Sequence, residues 1–206
     1  MTGTLEYQRL IVAYHGCDAA VAERVLLGRA ELQPSDNPYD WLGRGIYFWE
    51  HGPRRALEWA KELKRREPRK VRHPAVLGAY INLGFCFDLL DRRYTQALTD
   101  AYPAFVASRR ALDQPLPRNR PAGGSRDHVL RFLDCAMINW FLEEVAHAAG
   151  RPVFQTVRGA FIEGERAFPG SGICAKTHIQ IAVRDLGCIL GYFRPTAGLT
   201  DSVIQR

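Results

Sequence analysis

The chain has 206 residues, of which 47% are hydrophobic and 24% are charged. This composition supports one domain with a sizeable core and excludes global disorder. The formal net charge of +6 and the pI of about 9.2 favour an acidic partner, such as a nucleic acid, a nucleotide or an acidic protein. A basic protein without such a partner fits the charge equally well.

The first half of the chain alternates predicted strands and helices. Strands are predicted at residues 9–16, 45–50 and 74–84, where apolar and aromatic runs are bounded by glycines and turn residues. A helix follows the first strand from Asp18, and a second covers residues 52–67 with its proline in the first turn. Residues 33–40 carry two prolines and several turn formers, which predicts a loop.

The second half predicts two long helices and then three strands. Residues 94–112 predict a helix interrupted at Pro103, and residues 128–150 predict an amphipathic helix stopped by glycine. Between them, residues 113–127 contain three prolines, two glycines and three arginines, which predicts a mobile loop. The late strands are "VFQTVRGAFIEG", "ICAKTHIQIAVRD" and "CILGYFRP". This order predicts a single α+β domain over residues 1–206 with a largely antiparallel sheet.

The cysteines and the termini bear on the cellular setting. The five cysteines are scattered and include no CxxC pair: Cys17, Cys86, Cys135, Cys174 and Cys188. They indicate neither a disulfide framework nor a zinc site, and we expect no metal. The N-terminus lacks a basic-then-apolar signal region, and no apolar run approaches the length of a membrane span. We therefore expect a reducing, cytoplasmic setting and no membrane partner.

Two candidate functional residues lie next to glycines in predicted strands. His15 precedes Gly16 at the end of the first strand, where an imidazole would lie beside an exposed backbone amide. The alternative is a structural histidine. Tyr47 lies beside Gly45, whose missing side chain would let a ligand approach. The alternative for Tyr47 is a core aromatic residue.

Two further candidates lie on the late strands. Gln180 and His178 alternate with isoleucines, so their side chains share the face of a strand that looks onto a cleft or solvent. Glu163 ends the preceding strand, a position where exposed acids commonly have no function.

Common catalytic motifs are absent, but three short segments resemble a known family. The sequence has no GxxxxGK[ST], no GxGxxG after a strand, no GxSxG and no HExxH. The segments "YHG", "GRGIYF" and "QIAVRD" resemble the diphtheria-toxin-like and poly(ADP-ribose)-polymerase-like branch of the ADP-ribosyltransferases. The segment "DWLGRGIYFWEHGPRRALEWA" also resembles bacterial toxin-type members. The resemblance covers about a third of the chain, at both ends.

The resemblance implies both a fold and a cofactor. The fold is a split, mostly antiparallel β-sheet core of ADP-ribosyltransferase type, with flanking helices and a helical insertion at residues 85–150. The cofactor is NAD, as co-substrate. Tyr47 would stack on nicotinamide, and His15 would bond a ribose hydroxyl. The backbone of Gly16 would hold the carboxamide, and Gly45 would let the strand pass beneath the ring.

Further positions follow from the same resemblance. Tyr39, in the loop over the dinucleotide, would provide a second stacking ring. Arg55 stands where many relatives carry a serine that contacts nicotinamide. The catalytic glutamate of the family falls on Gln180, which can hydrogen-bond a ribose hydroxyl but cannot act as a base. Gln180 then only orients the ribose, or Glu163 supplies the carboxylate, or the domain binds NAD without transferring it.

The implied function is a mono-ADP-ribosyltransferase toxin or effector, for which an antitoxin protein is a further candidate partner. Net charge and the arginines of residues 113–127 favour nucleic acid over protein as the acceptor. The main alternative is a non-catalytic NAD or ADP-ribose binding module. A third interpretation is a basic RNA-binding protein in which "GIYF" only builds the core.

Overall fold

The computed structural model describes residues 7–122, 127–148, 150, 153–196 and 198. Within these ranges the strands are β1 (Tyr7–Asp18), β2 (Ile46–Glu50), β3 (Pro74–Gly84), β4 (Cys86–Asp88), β5 (Thr156–Phe161), β6 (His178–Val183) and β7 (Ile189–Phe193). The helices are α1 (Ala19–Leu26), α2 (Pro53–Arg66), α3 (Arg92–Ala111) and α4, which runs from Phe132–Trp140 through a π-helical segment, Phe141–Val145, to Ala146–Ala148. A short 3-10 turn, Leu186–Cys188, precedes β7.

All seven strands belong to one sheet with the order β4-β5-β6-β2-β1-β3-β7. Every neighbouring pair is antiparallel except β4 and β5, which are parallel. The predicted α+β fold with a mostly antiparallel sheet is therefore confirmed. The region from 85 to 150 is not wholly helical, because it supplies the edge strand β4 as well as α3 and α4.

Two predicted helix features are wrong. The helix is not interrupted at Pro103, since α3 continues through this residue to Ala111. A proline inside a helix costs about 3 kcal/mol, and burial of Tyr94 and Phe105 on either side of Pro103 offsets this cost. The helix predicted from residue 128 begins only at Phe132.

The late start of α4 has a cause in the preceding loop. Arg120 and Leu130 exchange two backbone hydrogen bonds, of 2.9 and 3.0 Å. Asn119 then accepts a hydrogen bond from the backbone nitrogen of Leu133 at 2.9 Å. These bonds hold both flanks of the predicted mobile loop against α4. Arg126 lies outside the described residues.

The helices divide between the two faces of the sheet. On one face, α1 packs Ala22 and Val25 against a cluster that includes Ile11 and Ala13. On the other face, α2 covers β1 and β3, while α3 and α4 pack with the opposite end of the sheet. The α2 face of β2 and β6 therefore lies between two groups of helices.

The state of the cysteines and the apolar length of the helices are also defined. Four of the five cysteines are buried and all five are free. Burial raises the pKa of Cys17 and Cys86 to about 12, so both thiols are neutral core groups. No helix in the described part of the chain is long and apolar enough to cross a membrane.

Gly16 is a point of close approach between α2 and the sheet. A Cβ atom at Gly16 would lie 2.1 Å from the backbone oxygen of Ala56 and 3.3 Å from Cβ of Ala60. The backbone of α2 would have to move to make room for it. Gly16 is therefore required for helix packing, whatever its role towards a ligand.

The Gly16→Ala substitution is expected to lower the free energy of unfolding by about 1–3 kcal/mol, the usual cost of forcing extra atoms into a packed interior. Urea denaturation of the purified variant measures this change. Gly191→Ala in β7 is the matched control, because a Cβ there meets nothing within 4 Å. Equal stability of the two variants would show that α2 yields without cost.

Candidate functional site

The site lies where β1 and β2 separate. These strands pair at two positions only, Ala13 with Glu50 and Tyr14 with Trp49. The next residue of β1 is His15, whose Nδ1 lies 2.8 Å from the backbone oxygen of Tyr47. Because a carbonyl oxygen only accepts, Nδ1 is the donor, and Nε2 of the neutral ring is an acceptor. His15 thus bridges the two strands at the point where their backbone pairing ends.

The side chain of His15 lies on the α1 face, with its ring centroid 5.6 Å from that of Phe48. Burial lowers the pKa of His15, so the imidazole is held neutral. Tyr47 and Gln180 project from the opposite face of the sheet, by strand alternation from Phe48 and Ile181. The structure therefore places His15 at the strand separation and not beside the other two predicted residues.

The ring of Tyr47 is fixed through its hydroxyl group. This group donates to the backbone oxygen of Gly43 at 2.8 Å and accepts from the backbone nitrogen of Leu42 at 2.9 Å. Burial, with a contribution from the charge of Asp40, raises the pKa of Tyr47 well above its ordinary value. Tyr47 is therefore a neutral ring in a fixed orientation, which suits stacking rather than proton transfer.

The two glycines before β2 allow the backbone conformation and the close packing of the segment that leads into this strand. Gly43 has a φ of +76°, a conformation that favours glycine. A Cβ at Gly45 would lie 2.9 Å from the backbone oxygen of Val183, so β6 occupies the space beside it. Ser35 also exchanges two backbone hydrogen bonds with Gly45, of 2.8 and 3.1 Å. Gly45 thus joins the 33–40 loop to the start of β2.

Two polar residues that the sequence interpretation missed hold this turn. Asn139 of α4 accepts a hydrogen bond from the backbone nitrogen of Arg44 at 3.0 Å. Arg184, just after β6, donates to the same Asn139 oxygen and to the backbone oxygen of Arg44, both at 3.2 Å. No motif marks either residue, since the contacts join segments far apart in the chain.

Gln180 lies in the centre of the α2 face and has an unexpected partner. Its Oε1 accepts a hydrogen bond from Nε1 of Trp41 at 2.5 Å. The indole of Trp41 lies over Gly159, where a Cβ would come within 2.7 Å of its Cη2. Within the described residues no hydrogen bond is recorded for the side-chain nitrogen of Gln180, which leaves it as a donor for a ligand.

Aromatic rings surround Gln180 on the same face. We call Trp41, Trp49, Phe161 and His178 the ring floor. The Trp41 and Phe161 centroids are 5.1 Å apart, Phe161 and His178 are 5.6 Å apart and nearly parallel, and His178 and Trp49 are 6.2 Å apart. Trp41 and His178 are only partly buried and offer stacking surface for flat groups, while Trp49 and Phe161 are buried, at 2% and 7% exposed, and pack against them.

His178 of the ring floor has a defined tautomer. Its Nδ1 lies 2.6 Å from the backbone oxygen of Lys176, so Nδ1 donates and Nε2 is an acceptor. Burial lowers the pKa of His178, Arg55 lowers it further, and Glu163 opposes the change. Nε2 of His178 and Nε1 of Trp49 are both buried without a hydrogen-bond partner in the described structure.

Two arginines flank the ring floor. Arg55 of α2 forms a 2.8 Å ion pair with Glu163, and these side chains are only 11% and 14% exposed. Its Nε and Nη1 are buried without a hydrogen bond in the described residues, although Nη1 lies 3.7 Å from the carboxylate of Glu58. Arg131 lies over Phe161 at 4.9 Å, and its Nε is also buried without a partner.

The remaining predicted ring lies beside α4. The centroid of Tyr39 is 5.9 Å from that of Phe132 in an edge-to-face arrangement. The backbone oxygen of Tyr39 accepts from the backbone nitrogen of Arg131 at 3.3 Å. The structure thus brings Tyr39 to the segment that carries Arg131. Among the described residues, no cluster of three or more His, Cys, Asp or Glu could hold a metal ion.

Comparison with known proteins gives one partial match. The chain is 31% identical over 77 residues to the uncharacterized protein MJ0359 of Methanocaldococcus jannaschii. The match covers 37% of this chain and 35% of that protein. No protein-family model and no solved structure matches this chain.

Proposed function

We propose that the chain is a mono-ADP-ribosyltransferase of the toxin or effector type, which transfers ADP-ribose from NAD to a macromolecule. The observation that carries this proposal is the convergence on one sheet face of Tyr47, Gln180 and the Arg55–Glu163 pair. This face adjoins the point where the pairing of β1 and β2 ends, to which we assign the split that the resemblance to ADP-ribosyltransferases implies.

The available donors suit the dinucleotide. Arg55 and Arg131 retain buried N–H groups without partners, and guanidinium groups are well matched to phosphate oxygens. Both lie beside the ring floor, since Arg131 lies over Phe161 and the charge of Arg55 lowers the pKa of His178. In this assignment the ring of Tyr47 stacks on nicotinamide, and His15, whose side chain lies on the opposite face of the sheet, orients the Tyr47 backbone through its Nδ1 contact.

The reaction breaks the bond between C1′ of the ribose and the nicotinamide nitrogen. The bonding electrons leave with nicotinamide, and the acceptor's nucleophile forms the new bond to C1′ and loses its proton. The side-chain nitrogen of Gln180 holds a ribose hydroxyl, and positioning supplies most of the rate enhancement.

The proton that the nucleophile loses and the positive charge that develops on the sugar need separate partners. Glu163 provides negative charge, but its ion pair with Arg55 already compensates that charge. Nε2 of His178 is an unprotonated nitrogen on the same face, buried without a hydrogen-bond partner in the described structure, and it can take the proton once the nucleophile reaches it. We therefore assign ribose orientation to Gln180 and proton acceptance to His178, while the carboxylate of Glu163 holds Arg55 in place.

The favoured acceptor is nucleic acid, with protein as the alternative acceptor, because the chain is strongly basic. A second candidate function is a non-catalytic NAD or ADP-ribose binding module. The observation that favours it is Gln180 at the position of the family glutamate, since a glutamine removes no proton.

We expect the purified protein to release nicotinamide from NAD and to transfer radiolabel from the adenine ring into nucleic acid. The assay uses NAD labelled in either half, mixed with RNA, single-stranded DNA and total protein as separate acceptors. NAD binding without release of nicotinamide supports the binding module. Absence of NAD binding by calorimetry contradicts both functions and leaves the basic RNA-binding interpretation.

A further inference from the structure

The positive charge of the protein is concentrated in one short segment. Residues 61–73 hold seven basic and two acidic residues, a formal charge of +5, within a chain of +6. All seven basic side chains are exposed. We call this segment the α2 basic end; its basic residues are Lys61, Lys64, Arg65, Arg66, Arg69, Lys70 and Arg72.

The acids of the segment neutralise little of this charge. Glu67 pairs with Lys70 at 2.6 Å, and Glu62 pairs with Lys176 from another segment at 3.3 Å. Four of the basic residues form no ion pair with any residue that the structure describes: Lys64, Arg65, Arg66 and Arg69.

The helix dipole explains only part of this pattern. Basic residues in the last turn of a helix are favoured by the negative end of the dipole, which accounts for Lys64, Arg65 and Arg66. The dipole acts within that turn. It gives no reason for Arg69 and Arg72, which lie beyond the end of α2.

The chemistry of the surface indicates the partner. Val71 is 3% exposed, and Ala56 and Ala60 of α2 are fully buried against the sheet. No large apolar side chain is exposed between residues 61 and 73, all of which are described. A protein interface needs an apolar or aromatic centre, and a membrane-surface helix needs an exposed apolar face. A phosphate backbone needs only charge.

We propose that the α2 basic end binds the phosphate backbone of a nucleic acid that is the acceptor of the transferase. The same helix carries Arg55 at the candidate site, and the eleven helical steps from Arg55 to Arg66 span about 17 Å. A strand held at the basic end can therefore reach the ring floor. That this nucleic acid is the acceptor of ADP-ribose rests on the proposed transferase activity. The binding of nucleic acid to the α2 basic end does not depend on that activity.

The test is fluorescence anisotropy with a labelled single-stranded RNA oligonucleotide over a series of salt concentrations. The variant R65Q/R66Q/R69Q is expected to weaken binding at least tenfold at low salt. Its plot of log affinity against log salt should lose roughly two units of slope, at about 0.7 per phosphate contact. The comparison variant R118Q/R120Q removes two of the loop arginines that the sequence suggested for nucleic acid. We expect it to keep the slope of the unaltered protein, because the seven basic residues of the α2 basic end supply the phosphate contacts in this proposal.

Two sets of outcomes separate this proposal from others. An unchanged slope in the triple variant, or tighter binding of the unaltered protein to a poly-glutamate peptide or to phosphatidylserine vesicles than to RNA, would overturn it. The triple variant should bind NAD as the unaltered protein does, by calorimetry. If the triple variant loses RNA binding and the unaltered protein does not bind NAD, the proposal that the α2 basic end binds nucleic acid is supported. The proposed transferase activity is then contradicted.

Discussion

The Gln180→Ala variant should release nicotinamide about a hundredfold more slowly than the unaltered protein, because misplacement of the reacting carbon by about 1 Å costs that much. Gln180 is 9% exposed and fixed by Trp41, so its free nitrogen has a defined direction. The measurement is single-turnover release of nicotinamide from bound NAD by the purified, folded variant.

The Gln180→Glu variant provides the matched comparison, since its carboxylate can still accept from Trp41 and restores the acid that the family uses. We expect it to equal or exceed the rate of the unaltered protein. Full activity of Gln180→Ala would remove Gln180 from the site. Inactivity of Gln180→Glu in a folded protein would contradict the correspondence with the family glutamate.

A third variant addresses Glu163. Glu163→Gln leaves the guanidinium of Arg55 buried without its charge partner, so its thermal stability must be measured alongside its rate. Slower release of nicotinamide by the folded variant supports a role for the negative charge of Glu163 in the reaction. An unchanged rate assigns the carboxylate of Glu163 to ion pairing alone.

The Tyr47→Ala variant should bind NAD about ten- to a hundredfold more weakly, because ring stacking is worth roughly 1–3 kcal/mol per base. Isothermal titration calorimetry measures the affinity. The hydroxyl bonds to Leu42 and Gly43 are lost together with the ring, so this variant alone does not separate stacking from support of the turn.

Tyr47→Phe separates these two contributions. It keeps the ring and removes both hydrogen bonds, so we expect nearly full NAD affinity with about 1–3 kcal/mol less stability, the cost of leaving buried polar groups unpaired. Equal losses of NAD affinity in the phenylalanine and alanine variants would show that the turn, and not the ring, supports binding.

The sequence predicted the positions of strands and helices better than it predicted the contacts between them. Apolar runs bounded by glycines and turn residues located β1, β2 and β3, and the alternation around Gln180 placed His178 on the same strand face, as the register of β6 confirms. Helix α3 was misjudged at Pro103, because the cost of a proline is local while the packing that offsets it involves residues from other elements.

Local sequence patterns could not predict which residues contact one another within the site. Trp41 reaches Gln180 across 139 positions of the chain, and Arg55 reaches Glu163 across 108. Such pairs depend on the strand order, which the sequence did not specify. A signal was present for Trp41 alone, since a tryptophan in a turn rich in polar residues needs both an apolar surface and an acceptor for its N–H.

The strand order also determines when the site can be completed during synthesis. The first 84 residues contain β1, β2 and β3, and their antiparallel pairing can form as the chain emerges. The outer edge of β2, however, pairs with β6, which begins at residue 178. The ribosome must therefore translate beyond residue 180 before Gln180 can take its place on the same sheet face as Tyr47. A nascent chain that has made only β1, β2 and β3 lacks the assembled site, although three of the seven strands of the sheet have already been synthesised.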